Sequence, residues 1–261
     1  MSEAVSVRVE AGVGILELAR PEKFNCLSMA AWGAIGAALA GFERPGSGVR
    51  VVLIQAQGKH FCTGADLDEV QGLRADPAQL AEFIGCGHRV LRAMEASPLP
   101  VVAACQGLCL AGGLELMLGA DVVFAARGAR FGDQHAQFGL IPGWGGSQRL
   151  TRLVGLRRAM DLYLSARWID ADTAAAWGLV NEVVEPDALN GHALAWCKTA
   201  AERSRSGLAV MKRLARQGLD LPLTDGLALE EGVAVQALLE EDVSEGLAAF
   251  NARRKPQFKE H

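Results

Sequence analysis

A carboxylate lies in the middle of an otherwise apolar stretch of the chain. Glu115 is flanked by leucine and methionine in the run LELML. Burying a carboxylate without a partner is costly, and burial raises its pKa toward the range that a general acid or base needs. A surface glutamate, favoured by the dipole at a helix N-terminus, is the structural alternative. The apolar neighbours favour a chemical role for Glu115.

Two glycine-containing turns could supply backbone donors beside this carboxylate. Gly112 lies three residues before Glu115, about one helical turn, so the two residues face the same way. As the start of a predicted helix, Gly112 has an N–H that the helix leaves unpaired. A second turn, residues 60–67 (HFCTGADL), follows an earlier predicted strand. If N–H groups from both turns converge they form an oxyanion hole, although either turn alone also fits simple packing. Phosphate binding is another possibility, but neither turn has the ending of a P-loop.

The elements that must hold these turns follow an α/β pattern. The order strand, polar turn, helix repeats with a shift of about fifty residues, which predicts mainly parallel strands with helices outside. Both turns then follow the carboxyl ends of strands, where ligands bind in open α/β sheets. Strands are predicted over 5–10 and 14–18, which form a hairpin, and over 49–55, 101–105 and 121–126. Helices are predicted over 29–42, with Ser28 as the N-cap, over 78–96, and from a start near Gly112.

The composition becomes helical after about residue 200. Helices are predicted over 200–217 and 224–255, so the chain divides into an α/β core (1–200) and a C-terminal helical section (201–261). The apolar stripe of this section must be buried, either on its own core or against another subunit. The stripe consists of Leu227, Val235, Leu238, Leu239, Leu247 and Phe250.

Composition and charge exclude several classes of protein. The 261 residues fit one large domain, or one domain with an appendage, and the net charge of −4 gives no sign of a nucleic-acid partner. Six cysteines match no zinc or redox spacing, so reduced thiols and no metal are expected. Residues 1–10 show no signal peptide and no stretch is apolar enough to span a membrane, so a cytoplasmic protein is expected. The basic cluster 253–255 fits a solvated helix end or a local site for a phosphorylated ligand.

Taken together, the segments resemble the crotonase (enoyl-CoA hydratase/isomerase) family. The turn HFCTGADL, then QGLCLAGGLEL followed by DVVFAA, then FGDQHAQFGLIPGWGGSQRL stand in the order typical of that family. The match continues through RPEKFNCLS, residues 171–184 and AFNARRKPQF, and so covers essentially the whole chain. The resemblance implies a crotonase-like spiral of ββα units with a C-terminal helical section, assembled as a homotrimer or hexamer.

The resemblance also implies roles for particular residues. The backbone N–H groups of Ala65 and Gly112 would form the oxyanion hole around a thioester enolate, with Glu115 moving protons beside it. Trp144 would form a wall of the acyl pocket or pack in the core. Coenzyme A would belong to the substrate, so no separate cofactor is implied. The residues expected to bind coenzyme A are Lys23, Phe24, Thr63, Asp66 and Leu67, with Phe250 and Arg253 reaching it, often from a neighbouring subunit.

One position departs from the pattern of the family. Hydratases of this family use two glutamates, and His135 stands where the second would be. A histidine can still act as a general acid or base, or it can be a loop residue that bonds locally. Asp133, two residues earlier, could orient His135 or face solvent.

The leading expectation is hydration of a 2-enoyl-CoA, with Glu115 and His135 as the catalytic residues. A Δ3–Δ2 enoyl-CoA isomerase needs only one base, which Glu115 alone would supply. A C–C hydrolase or decarboxylase acting on a cyclic or branched acyl-CoA would suit a histidine in place of the second carboxylate. A catalytically inert homologue that binds coenzyme A is the alternative outside the enzymes. Acyl length, branching and ring content do not follow from the sequence.

Overall fold

The polypeptide alternates strands and helices for about two hundred residues and then continues as helices alone. A computed structural model describes residues 4–259. Three short 3-10 helices, Pro21–Lys23, His135–Phe138 and Pro186–Ala188, lie between the main elements. The strands and helices of the described range are β1 Val5–Glu10, β2 Val13–Leu18, α1 Met29–Glu43, β3 Val51–Ala56, α2 Leu67–Leu73, α3 Pro77–Ala96, β4 Val101–Cys105, β5 Leu108–Leu110, α4 Gly112–Leu118, β6 Val122–Ala126, β7 Arg130–Gly132, α5 Gly146–Val154, α6 Leu156–Ser165, β8 Ile169–Asp170, α7 Ala171–Ala176, β9 Glu182–Val184, α8 Leu189–Ala201, α9 Arg205–Gly218, α10 Leu223–Ala237 and α11 Glu241–Asn251.

Two sheets carry the α/β part, as the sequence pattern predicts. The larger has the order β1-β2-β3-β4-β6-β9, in which only β1 is antiparallel to its neighbour. The smaller has the order β5-β7-β8. Successive strands alternate between the two sheets. β4 lies in the large sheet and β5 in the small sheet, and β6 and β7 repeat this alternation. The predicted hairpin, the three buried strands and the capped helix α1 are confirmed; Ser28 Oγ accepts from Ala31 N–H at 3.1 Å.

The central strands of the large sheet are buried on both faces. Every residue of β3 and β4 is buried, as expected for strands whose sequences are apolar apart from Gln55. One face packs against α1 and α3 in the main core. The other face, with Ile15, Leu53, Val102 and Phe124, packs against α8. The strands are therefore fixed firmly enough to position the turns at their ends.

Both predicted C-terminal helices are interrupted, which corrects the sequence expectation. The range predicted as one helix, 200–217, contains the end of α8 and most of a separate helix, α9. The new helix starts here because Ser204 Oγ caps its N-terminus by accepting from Gly207 N–H at 3.0 Å. The predicted helix 224–255 breaks between α10 and α11, where acidic residues in the first turn of α11 favour a new helix start. The last two residues of the predicted section, 260–261, lie outside the described range.

The apolar stripe of the C-terminal section does not pack on its own core. Its side chains are exposed in the single chain; Leu239 is 77% exposed and Phe250 is 81% exposed. The expectation of burial within one chain is therefore wrong, because α10 and α11 turn this stripe outward. Burial against another subunit stays a prediction.

A network of partly buried charges attaches α9 to the sheet edge where β4 and β6 begin. Lys212 is 7% exposed, and its Nζ lies 2.8 Å from Asp121 and donates to the carbonyls of Met94 and Leu99 at 2.7 and 2.9 Å. Arg216 also bonds Asp121, at 2.6 Å. Burial lowers the pKa of Lys212, and the Asp121 charge opposes this effect.

Replacing Lys212 with methionine is expected to destabilise the fold. The Lys212→Met change leaves two buried carbonyls without their donor and removes one of the two cations around Asp121. We expect it to lower the free energy of unfolding by about 2–3 kcal/mol. Urea titration would measure this difference. Lys198→Met, which removes a surface pair with Glu10, is the matched control and should change stability much less. An equal loss in both variants would refute the anchoring role of Lys212.

No helix in residues 4–259 is long and apolar enough to cross a membrane. Within the same residues, no cluster of three or more histidine, cysteine, aspartate or glutamate side chains has the geometry to hold a metal ion. The six cysteines form no disulfide.

Candidate active site

The two predicted turns meet at the ends of β3 and β5. Cys62 pairs with Cys109 in an isolated parallel bridge, and Leu110 N–H donates to Cys62 O at 3.0 Å. A Cβ placed on Gly64 would lie 3.1 Å from the nitrogen of Gly112. The structure thus brings together the two turns that the sequence separates by about fifty residues.

Among the backbone N–H groups of these turns that lack an acceptor in the described part of the chain are those of Ala65 and Gly112. Leu27 bonds both neighbours of Ala65: its N–H donates to Gly64 O at 2.8 Å, and its carbonyl accepts from Asp66 N–H at 3.0 Å. The N–H of Ala65 itself therefore points away from Leu27. Gly112 is the first residue of α4, and the helix supplies no acceptor there. The pair has the composition of an oxyanion hole.

Ala111, which the sequence analysis did not single out, turns the chain into α4. It has φ 48° and ψ −120°, a backbone conformation that is costly for alanine. Its own N–H donates to Gly132 O at 2.9 Å, which ties the turn to β7. The strain follows from tertiary contacts, so no local signal in the sequence could have revealed it.

Trp144 supports the turn at Gly112 from the side of the core. Its side chain is 2% exposed and packs edge-on against Trp32, with ring centroids 4.9 Å apart, and against Phe83 at 5.3 Å. A Cβ placed on Gly112 would lie 2.5 Å from Trp144 Cζ3. Of the two roles expected for Trp144, the structure therefore favours core packing over a wall of an acyl pocket.

Glu115 is a buried carboxylate with one oxygen held and the other free. It is 1% exposed, and its Oε1 accepts from the N–H groups of Trp144 and Gly146, each at 2.7 Å. Oε2 has no hydrogen-bond partner among the described residues and lies 3.8 Å from His135 Nε2. Burial raises the pKa of Glu115, and the two backbone bonds and the nearby His135 only partly oppose this. The surface alternative for Glu115 is excluded.

His135 lies between two carboxylates. Its Nδ1 is 2.9 Å from Asp133 Oδ1, and its Nε2 faces Glu115. Gln134 adopts a left-handed conformation (φ 55°), which turns the chain so that residues 133 and 135 present their side chains to each other. Burial lowers the pKa of His135, but the hydrogen bond to Asp133 and the charges of both carboxylates outweigh this and raise it. The two carboxylates therefore stabilise the charged form of the ring relative to a histidine in water, and its Nε2 faces the gap before Glu115.

Comparison with known proteins agrees with this geometry. A family model described as enoyl-CoA hydratase/isomerase matches residues 8–261. The chain belongs to the enoyl-CoA hydratase/isomerase family. A probable enoyl-CoA hydratase of Rhizobium meliloti is 38% identical over 98% of both chains, and a short-chain-enoyl-CoA hydratase of Clostridium acetobutylicum is 31% identical over 96% of this chain and 95% of its own. The crystal structure of an enoyl-CoA hydratase from Polaromonas superposes with a TM-score of 0.94 at 31% identity, covering 98% and 99% of the two chains. The crotonase fold expected from the sequence is therefore confirmed.

The residues that the family resemblance assigns to coenzyme A fall into two groups. The first lies at the turn 60–67: Thr63 N–H donates to Phe24 O at 3.2 Å, and Phe24 is half-exposed and stacked on His60. Lys23 pairs with Asp68 at 2.9 Å. Asp66 pairs with Arg20 at 3.4 Å, and Leu67, at the start of α2, is 48% exposed.

The second group, Phe250 and Arg253, belongs to a segment that is attached elsewhere. The tail that follows α11 is held by Arg50, which donates to the carbonyls of Phe258 and Lys259 at 3.0 and 3.1 Å, at the edge where β3 begins. The turn 60–67 follows the opposite end of β3. None of the contacts described within residues 4–259 links the two groups in one chain.

Asn25 was missed by the sequence analysis although it organises the first group. Its side chain is 2% exposed, accepts from Arg20 N–H, and donates to the carbonyls of Gln57 and His60, each bond at 2.9 Å. It also has φ 55°. An asparagine two residues after a lysine in a polar segment gives no signal of burial, because the two carbonyls that accept from its side-chain amide lie more than thirty residues away along the chain.

Proposed function

We propose that this enzyme adds water across the α,β double bond of a 2-enoyl-CoA thioester. The observation that carries the proposal is the pair Glu115 Oε2 and His135 Nε2, 3.8 Å apart, with Glu115 on the helix that begins at Gly112. A buried base, a charged acid and two backbone donors are the groups that hydration of a conjugated thioester needs.

The two backbone donors would bind the thioester oxygen. When water adds to C3, the carbonyl becomes an enolate, and its negative charge settles on that oxygen. The N–H groups of Ala65 and Gly112 are held in place before the reaction and do not need to reorganise. One such donor is worth about 3–4 kcal/mol in the transition state.

Glu115 and His135 would divide the proton transfers. Atoms 3.8 Å apart leave room for one water oxygen at about 2.8 Å from both. Glu115 Oε2 takes a proton from this water, whose oxygen bonds to C3, and His135 delivers its Nε2 proton to C2. The product gains one water, Glu115 is left protonated and His135 neutral, and transfer of the proton between them restores the site.

Isomerisation is the second candidate, because Glu115 holds one oxygen free of any bond while the other is fixed. A single base of this kind can move a proton between C2 and C4 of the acyl chain without water. Hydrolysis or decarboxylation at a C–C bond, and inert binding of coenzyme A, are the remaining outcomes that an assay must separate.

Purified protein should convert a 2-enoyl-CoA to the 3-hydroxyacyl-CoA, with a mass gain of one water. A panel of enoyl-CoA thioesters of different length, branching and ring content, read by mass spectrometry, distinguishes this gain from unchanged mass with a moved double bond and from cleavage. Exchange of the C2 proton of a saturated acyl-CoA with deuterium separates an enzyme from an inert binder. Absence of hydrated product over the whole panel would refute the proposal.

Binding of coenzyme A would use Lys23, Phe24, Thr63, Asp66 and Leu67. Phe250 and Arg253 would contribute from a neighbouring copy, since the tail that follows them is attached where β3 begins and the turn 60–67 follows the other end of β3. The exposed stripe of the C-terminal section supports a homotrimer or hexamer. We further propose a cytoplasmic enzyme that uses no metal and no cofactor apart from the coenzyme A of its substrate.

A further inference from the structure

The carboxylate of Asp133 is buried behind His135, on the side away from Glu115. Its side chain is 3% exposed, and Oδ1 lies 2.9 Å from His135 Nδ1. The same oxygen is 3.4 Å from the backbone nitrogen of His135, too far for a strong bond, and that nitrogen already donates to the Asp133 carbonyl at 2.6 Å. The carboxylate therefore contributes little to the turn itself, and its main contact is the imidazole.

We propose that Asp133 is a positioning residue, which holds His135 charged and aims its Nε2–H at the gap before Glu115. Asp133 would accept the Nδ1 proton, which fixes both the plane of the ring and the nitrogen that faces the substrate. The use made of that proton rests on the proposed function, whereas the arrangement of the two side chains does not.

The charges around the ring explain why a carboxylate stands at this position. Asp133 Oδ2 is buried and has no hydrogen-bond partner in the described range, which is unfavourable unless a cation lies beside it. A charged His135 between Asp133 and Glu115 alternates negative, positive and negative charge. A neutral ring would leave two buried negative charges with no cation between them.

Other groups near the ring do not supply this charge. Tyr163 of α6 lies close enough to interact with both carboxylates, but burial raises the pKa of its hydroxyl, so it stays neutral. Asp161 of the same helix is in an exposed pair with Arg167. Asp133 and Glu115 are the anions that face the imidazole.

Asp133→Asn tests the proposal because it keeps the shape and removes the charge. We expect kcat to fall ~10²-fold with KM changed less than about threefold. Because the Asp133 charge raises the pKa of His135, the variant should lose the His135 proton at lower pH, and the alkaline limb of kcat should move to lower pH by about 1 unit. Asp172→Asn, at an exposed position of α7, is the matched control and should change none of these.

Titration of His135 by NMR reads the same effect without substrate. The signals are assigned from their loss in His135→Gln, and ¹⁵N shifts of the unsubstituted protein should show both ring nitrogens protonated near neutral pH. An unchanged His135 titration in Asp133→Asn, or a neutral ring in the unsubstituted protein, would overturn the proposal even if turnover falls. If no enoyl-CoA is hydrated while the titration shifts as expected, the hydratase assignment fails and the positioning role stands.

Discussion

Glu115→Gln is expected to lower kcat by ~10³- to 10⁴-fold while the acyl-CoA still binds. Glutamine has the same shape, and its amide oxygen can take the place of Oε1, which accepts from Trp144 and Gly146 at 2.7 Å. The atom that replaces Oε2 is then an NH₂ group, which cannot accept a proton from water. General base catalysis contributes up to about this factor, so its loss removes nearly all turnover.

Two measurements test the prediction for Glu115→Gln. Steady-state kinetics with the best enoyl-CoA of the panel gives kcat, and calorimetry gives the affinity for the thioester, which should change less than about threefold because the variant removes no contact to coenzyme A. Glu82→Gln, which removes an exposed carboxylate paired with Arg89, is the control for the substitution itself. Turnover that survives in Glu115→Gln would contradict both hydration and isomerisation, and would leave C–C chemistry on His135 as the alternative.

The sequence predicts those parts of the fold that depend on local pattern. The buried strand β4, the hairpin and the Ser28 cap of α1 follow from apolar runs, turn residues and a capping side chain, and all agree with the structure. The breaks after α8 and α10 do not follow, because continuous helical composition does not show where a short cap interrupts it. Exposure of Phe250 was also beyond local pattern, because an apolar stripe does not specify its partner.

The candidate site divides in the same way. Glu115 and Gly112 could be selected from the sequence because a carboxylate among apolar residues, one turn from a helix start, is an unusual local combination. The donors that hold Glu115 could not, since they are backbone groups of Trp144 and Gly146, 29 and 31 residues further along the chain. Asp133 was an open question for the same reason, because only the left-handed turn between it and His135 brings the two side chains together.

Gly112 is the position at which a single added methyl group should most disturb the proposed oxyanion hole. In Gly112→Ala the new Cβ would lie 2.5 Å from Trp144 Cζ3 and 3.2 Å from Gly64 Cα. The ring is packed against Trp32 and Phe83 and has no room to retreat, so the backbone must move instead. That movement would displace the Gly112 N–H from the position proposed for the thioester oxygen.

We expect kcat/KM of Gly112→Ala to fall ~10³-fold, which is the effect of losing one donor of an oxyanion hole. We also expect overpacking to lower the free energy of unfolding by about 1–3 kcal/mol. Kinetics and urea titration measure the two effects separately. Gly33→Ala is the matched control, because a Cβ at that exposed position of α1 would meet nothing within 4 Å, so activity should be unchanged and the helix slightly more stable. If Gly112→Ala loses stability but keeps its turnover, the N–H of Gly112 does not hold the enolate. The oxygen would then have to be stabilised elsewhere in the cleft, and the case for a shared anion site with Ala65 would fall with it.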